Sequence, residues 1–97
     1  MIQSFLNKGT EDIFNGINSR EARKTCPANI WGVAGRKFDI LDSAIRLEEL
    51  KIPLANNLEK LKGDRKTQYS IRINDKYRIC FIWTDNRPEQ VEITDYH

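Results

Sequence analysis

Glu59, Lys62, Arg78, Tyr96 and His97 supply the residue types that move protons and neutralise phosphate charge. Cleaving an RNA phosphodiester without a metal makes three demands. The 2′-hydroxyl must lose a proton to attack phosphorus, the departing 5′-oxygen must gain one, and the charge on the pentacovalent phosphate must be balanced throughout. Histidine, carboxylate, lysine or tyrosine can carry the protons, and arginine offers a permanently charged, forked donor. His97 is the sole histidine and the final residue, with Tyr96 beside it after an expected strand. A frayed tail is the plainer reading of that pair. Alternation along 77–84 sets Arg78 opposite Tyr77, Ile79, Phe81 and Trp83 on an otherwise apolar strand. An arginine buried there needs a carboxylate such as Glu59 or Asp95, or a cleft that takes an anion. Spacing alone does not bring the five residues together.

Charge distribution points the same way. Lys60, Lys62, Arg65, Lys66, Arg72, Lys76 and Arg78 crowd a stretch whose only acids are Asp64 and Asp75, in a chain of formal charge +2. A basic segment on an otherwise acidic body suits a phosphate-binding face. It also suits a strand edge blunted by lysine.

The elements that must position these residues follow from periodicity. Ile2, Phe5 and Leu6 suggest a short opening strand. Thr10 is the expected N-cap of a short helix, with Glu11 and Asp12 in its first turn and Ile13, Phe14 and Ile17 on its apolar face. Residues 18–24 are polar and basic and read as a connection to Cys26-Pro27. From Ile30 to Leu50, the residues Ile30, Val33, Ala34, Phe38, Leu41, Ile45 and Leu47 recur at helical spacing until Pro53 stops the pattern. Residues 54–61 read as an irregular approach anchored by Leu58 and Leu61. After Gly63 the period becomes two: Tyr69, Ile71 and Ile73 mark a half-buried strand, and 74–76 a turn. Residues 77–84 form a central strand, 85–89 a second turn, and 91–94 a last strand. The expectation is α+β, with helices followed by a three-strand meander.

Composition limits the class further. Ninety-seven residues are enough for one domain spanning 1–97, and 39% hydrophobic with 31% charged residues suits an ordinary globular fold. The longest apolar run, Ile79 to Trp83, can cross a sheet but is far short of the roughly twenty residues a bilayer needs. The first eight residues lack a signal-peptide pattern, so a cytoplasmic location without membrane contact is expected. Cys26 and Cys80 read as reduced, structurally ordinary thiols. One histidine and two distant cysteines offer no zinc-type spacing, so neither metal nor other cofactor is expected.

Four segments taken together resemble the HigB toxins, a branch of the RelE superfamily. They are 61–65 (Leu-Lys-Gly-Asp-Arg), 69–74 (Tyr-Ser-Ile-Arg-Ile-Asn), 77–81 (Tyr-Arg-Ile-Cys-Phe) and the closing Asp95-Tyr96-His97. The opening residues 1–5 fit as well. The resemblance implies a compact RelE-like microbial ribonuclease fold, with helices packed on a small antiparallel sheet. It implies cleavage of mRNA in the ribosomal decoding site and a HigA-type helix-turn-helix antitoxin as partner. It assigns Lys62 to the lysine before the Gly-Asp-Arg motif and Arg78 to the strand arginine set against the phosphate. Tyr96 and His97 fall to positioning and proton transfer. Lys60, Arg65, Lys66, Arg72 and Lys76 would contact RNA and ribosome. Some members carry a histidine where this chain has Glu59, which leaves the general base open. Two rivals remain: a non-catalytic ParE-like gyrase poison of the same fold, which does not require Lys62, Arg78, Tyr96 and His97, and an RNA-binding module without turnover. The usual sign of the latter is exposed aromatics. Trp31, Tyr69 and Tyr77 are the only candidates besides Tyr96.

Overall fold

A computed structural model describes residues 1–65 and 67–95. Three helices, α1 (Lys8–Phe14), α2 (Arg20–Thr25) and α3 (Trp31–Ser43), precede an antiparallel sheet. Its strands are β1 (Glu59–Lys60), β2 (Gln68–Arg72), β3 (Tyr77–Thr84) and β4 (Arg87–Asp95), in the order β1-β2-β3-β4. The expected α+β class holds, and so do the alternation of β2 and the central place of β3.

Several local expectations are corrected. The first helix starts earlier than Thr10, because the Asn7 side chain accepts from the Thr10 amide at 2.9 Å and serves as the N-cap. Thr10 is instead buried, and its hydroxyl accepts from the Ile93 amide at 3.1 Å, tying α1 to β4. The supposed connection 18–24 contains α2, capped by the Ser19 hydroxyl on the Ala22 amide. Gly9 lets α1 and α2 approach closely, since a Cβ there would lie 1.9 Å from Thr25 Oγ1. The long helix stops at Ser43 rather than near Leu50. The Ser43 hydroxyl bonds back to the Asp39 carbonyl, and Glu49 captures the amides of Ile45 and Arg46. These local bonds compete with helix continuation. Residues 47–51 then form a separate turn of 3-10 helix, and Ile45 is 65% exposed.

The meander has four strands rather than three, the extra one being the two-residue β1 inside the supposedly irregular 54–61 segment. The second turn shrinks to Asp85 and Asn86, both left-handed at φ 51° and 60°, as a two-residue hairpin prefers. β4 therefore begins at Arg87. It carries Pro88, tolerated on an outer strand, and an irregularity at Gln90, where φ is 51°. There the expected opening strand is reduced to a single parallel bridge, Phe5 with Val91, with the Val91 amide donating to the Ser4 carbonyl at 3.1 Å.

The two faces of the sheet differ. Ile71, Ile73, Ile79, Phe81, Val91 and Ile93 pack with Ile13, Ala34, Phe38 and Leu41 from the helices into one core. Alternation turns Ser70, Arg72, Arg78, Cys80 and Glu92 to the other face. No helix among the described residues is long and apolar enough to cross a membrane.

Candidate active site

Register builds the second face. Glu59 pairs with Ser70, Ser70 with Cys80, and Cys80 with Glu92, so one row crosses all four strands. In the next row Arg72 pairs with Arg78 and Arg78 with Thr94. Leu61 and Cys80 are buried there but stand outside the main core, because the 57–65 segment folds over this side.

Arg78 is 8% exposed and well satisfied. Its Nε donates to Ser70 Oγ at 2.8 Å and its Nη2 to the Asn57 carbonyl at 2.7 Å, with Glu59 Oε2 3.9 Å away. Of the two carboxylates foreseen for it, Glu59 stands within ion-pair range, while Asp95 engages Lys76 at 3.6 Å. Asn57 is left-handed at φ 46° and donates its Nδ2 to Glu59 Oε1 at 3.3 Å. Both Glu59 oxygens therefore have a neighbouring donor, yet the side chain stays 46% exposed. That is a carboxylate held in place and still accessible to solvent.

The loop behind this group is anchored by Asn56. Its buried Nδ2 donates to the Leu50 carbonyl at 3.2 Å, and its Oδ1 accepts from Lys37 Nζ at 2.6 Å. Burial, with Arg72 and Arg36 adding repulsion, lowers the Lys37 pKa below the usual lysine range.

Lys62 joins Glu59, Lys60 and Leu61 in lining an open groove of about 430 Å³. A second hollow of about 530 Å³, lined by Met1, Gln3, Ile45, Arg46 and the 85–87 turn, shares no residue with this cluster.

The structure thus brings Glu59 and Arg78 together, with Lys62 on the groove that Glu59 lines. The other basic residues are spread out. Arg65 pairs with Glu92 at 3.1 Å, Arg72 pairs with Asp75, and Lys76 sits over the Tyr77 ring at 5.5 Å. Lys66, Tyr96 and His97 lie outside the described residues. Burial pushes the Cys80 and Cys26 thiols up to about 11. Trp31, Tyr69 and Tyr77, the candidate stacking aromatics, are all partly buried against the core. Among the described residues no three of His, Cys, Asp and Glu gather as a metal-binding group.

Three contributors escaped the sequence reading: Asn57, Ser70 and Glu92. Ser70 carried a signal, because period two places it on the Arg78 face. Asn56-Asn57 carried a weaker one, asparagine being tolerant of the left-handed region.

Comparison with known proteins bears on the family and the fold. Residues 3–97 match the family described as RelE-like toxin of type II toxin–antitoxin system HigB. Toxin HigB-1 of Vibrio cholerae is 34% identical over 85 residues, covering 88% of this chain and 86% of that one. Endoribonuclease HigB of Proteus vulgaris is 30% identical over 98 residues and covers both chains fully. Among solved structures, the YoeB–YefM complex of Staphylococcus aureus aligns with TM-score 0.54 at 18% identity, over 100% of this chain and 98% of that one. A heterotetrameric YoeB–YefM toxin–antitoxin complex from the same organism aligns with TM-score 0.55 at 18% identity, over the same shares. At that identity the likeness concerns the fold, which is RelE-like. With a family match across almost its whole length and the Vibrio relative at 34% identity, this chain belongs to the HigB-like toxins of type II toxin–antitoxin systems.

Proposed function

We propose that the protein is a ribosome-dependent, metal-independent mRNA endoribonuclease that inhibits translation in the cytoplasm and is silenced by a HigA-type helix-turn-helix antitoxin. One observation supports this reading most. A nearly buried arginine on the second sheet face, beneath the edge of the 57–65 segment, has a half-exposed carboxylate within 3.9 Å, and that carboxylate lines a groove shared with Lys62.

In the proposed reaction the message lies across this face, with its scissile phosphate on Arg78. Glu59 takes the proton from the 2′-hydroxyl, whose oxygen forms a bond to phosphorus as the bond to the 5′-oxygen breaks. His97 returns a proton to the leaving 5′-oxygen, and Tyr96 positions the chain end. Arg78 and Lys62 balance the phosphorane charge. The products are a 2′,3′-cyclic phosphate and a 5′-hydroxyl. Family membership and the name of the Proteus relative favour RNA cleavage over gyrase poisoning. The two YoeB neighbours, both solved in complex with YefM, favour an antitoxin partner.

The test is incubation of the purified toxin with mRNA-programmed ribosomes, followed by mapping of the cleaved ends in the presence and absence of EDTA, with subunit association monitored. Cyclic or hydrolysed 3′-phosphate ends that survive chelation are expected. Ends bearing a 3′-hydroxyl would indicate metal-assisted hydrolysis, and intact message would remove the nuclease reading.

A further inference from the structure

The cross-strand row on the second face ends in a second pair of opposite charge, distinct from Arg78 and Glu59. Arg65 belongs to the turn after β1, which folds over this face, and its Nη1 lies 3.1 Å from Glu92 Oε1 on β4. The same Nη1 lies 3.3 Å from Gln68 Oε1. The Glu92 side chain is 14% exposed and that of Arg65 41%. The carboxylate is thus largely covered, while the Arg65 side chain keeps part of its surface open to solvent and its guanidinium also reaches the Cys80 thiol. The Glu92 and Gln68 contacts fall on one nitrogen of a group that carries five N–H donors in a planar fork, so donors remain beyond those used on Glu92, Gln68 and Cys80. A carboxylate set beneath an exposed arginine orients it without shielding it from an incoming anion. Strands lie about 5 Å apart, so a pair near β4 and an arginine held between β2 and β3 are separated by one or two strand intervals.

We propose that Glu92 is a positioning residue that holds Arg65 over the sheet as a second phosphate contact, taking the backbone phosphate next to the scissile one. This rests on the RNA-cleaving reading above. Lone loop arginines lose much rotamer freedom when they bind, and prior anchoring by Glu92 and Gln68 removes part of that cost. The recognised class is a single-stranded ribonucleotide backbone, read through charge at an adjacent linkage rather than through base identity.

The test uses ribosomes programmed with synthetic messages. One linkage next to the scissile one, on either side in turn, carries a methylphosphonate on a 2′-O-methyl nucleotide. Matched controls carry 2′-O-methyl with the natural phosphate. Wild type is expected to lose about tenfold in kcat/KM at one of the two linkages, the scale of a single charge-assisted hydrogen bond. Arg65→Ala should show that loss on the natural message and no further loss on the modified one. Glu92→Gln should raise KM roughly three- to tenfold with kcat within about twofold, and the double variant should be no worse than Arg65→Ala alone. Glu92→Asp should recover most of the KM. A fall in KM for Glu92→Gln would make Glu92 a mere neutraliser, and additive losses would separate it from Arg65. Either result overturns the proposal. Wild-type cleavage indifferent to both flanking linkages removes the second contact but leaves the nuclease reading intact. Absence of wild-type cleavage removes both.

Discussion

Replacing Arg78 with alanine should cost both stability and catalysis, and the two losses can be separated. The guanidinium makes two short charge-assisted bonds, to Ser70 Oγ at 2.8 Å and to the Asn57 carbonyl at 2.7 Å, at a site only 8% exposed. Such bonds contribute about 1.5–3 kcal/mol each, and because they share one donor group their loss is less than additive. A destabilisation of about 2–4 kcal/mol is therefore expected from a domain whose total stability is roughly 5–15 kcal/mol. At about 4–8 °C per kcal/mol for a chain of this size, the melting midpoint should fall by roughly 10–25 °C with the protein still folded at 25 °C. Catalysis should fall further. Removing one preorganised donor to a developing anion typically costs about 10²–10³ in kcat. Ser70→Ala supplies the control, since it deletes one partner of Arg78 but keeps the charge. It should cost about 1.5–3 kcal/mol in the melt and only a few-fold in cleavage. The assay is single-turnover cleavage on programmed ribosomes at 20 °C, beside a thermal melt of each variant. Folded Arg78→Ala protein retaining more than a tenth of wild-type activity would refute the catalytic assignment. So would a Ser70→Ala loss as deep as that of Arg78→Ala, because the arginine would then serve only to fasten the 57–65 segment.

Three further outcomes are expected. Glu59→Gln and deletion of His97 should each lower cleavage by at least about tenfold, with little change in the melt of the half-exposed Glu59 variant. A fully active His97 deletion would shift proton transfer to Glu59 and Lys62. Gly9→Ala should destabilise the fold by about 1–3 kcal/mol without altering the cleavage products, because its Cβ would meet Thr25 Oγ1 and the Glu21 carbonyl. An unchanged urea midpoint would show that α1 and α2 part at no cost. With the Cys26 and Cys80 thiols raised to about 11, the unfolded chain holds fewer thiol protons than the folded one from about pH 8.5 upward, so stability should decline through that window. Cys80→Ala should flatten the decline, and an equally steep fall in that variant would assign it to other groups.

What the sequence disclosed depends on how each element earns its place. β2 and β3 were legible because Tyr69, Ile71, Ile79 and Phe81 face a core at strict alternation, and that arithmetic also put Arg78 on the other face. α2 was not, since Ala22 is its one buried residue and no apolar stripe announces it. β1 consists of two exposed residues, held by pairing with β2 rather than by burial, so it has no hydrophobic pattern to read. The end of α3 was obscured by an apolar rhythm that continues past Ser43, while Ser43 and Glu49 redirect the backbone through bonds that periodicity does not register. Arg78 and Glu59 were legible as chemical types. Asn57, which links them, contributes through a left-handed backbone and a carbonyl that residue type signals only weakly, and Glu92 through cross-strand register, which residue type does not signal.

The site joins a rigid element to a lightly held one. β3 carries Ile79 and Phe81 into the core on one face and Arg78 on the other, so displacing Arg78 would mean disturbing the best-packed strand of the sheet. Glu59 and Lys62 come from the 57–65 segment, which is tied down by the short β1 pairing, by Asn56, by the Arg65 contact with β4 and by Arg78 itself. In the proposed reaction an incoming phosphate competes with the Asn57 carbonyl and Glu59 for the same guanidinium. Turning Arg78 toward phosphate loosens its 3.9 Å contact with Glu59 and leaves that carboxylate oxygen free to meet the arriving 2′-hydroxyl. The left-handed Asn57, still donating to Glu59 Oε1, keeps the carboxylate aimed. A histidine at position 59 would be repelled by the neighbouring arginine when protonated, whereas a glutamate is held by it. The substitution therefore fits the arginine geometry of this chain.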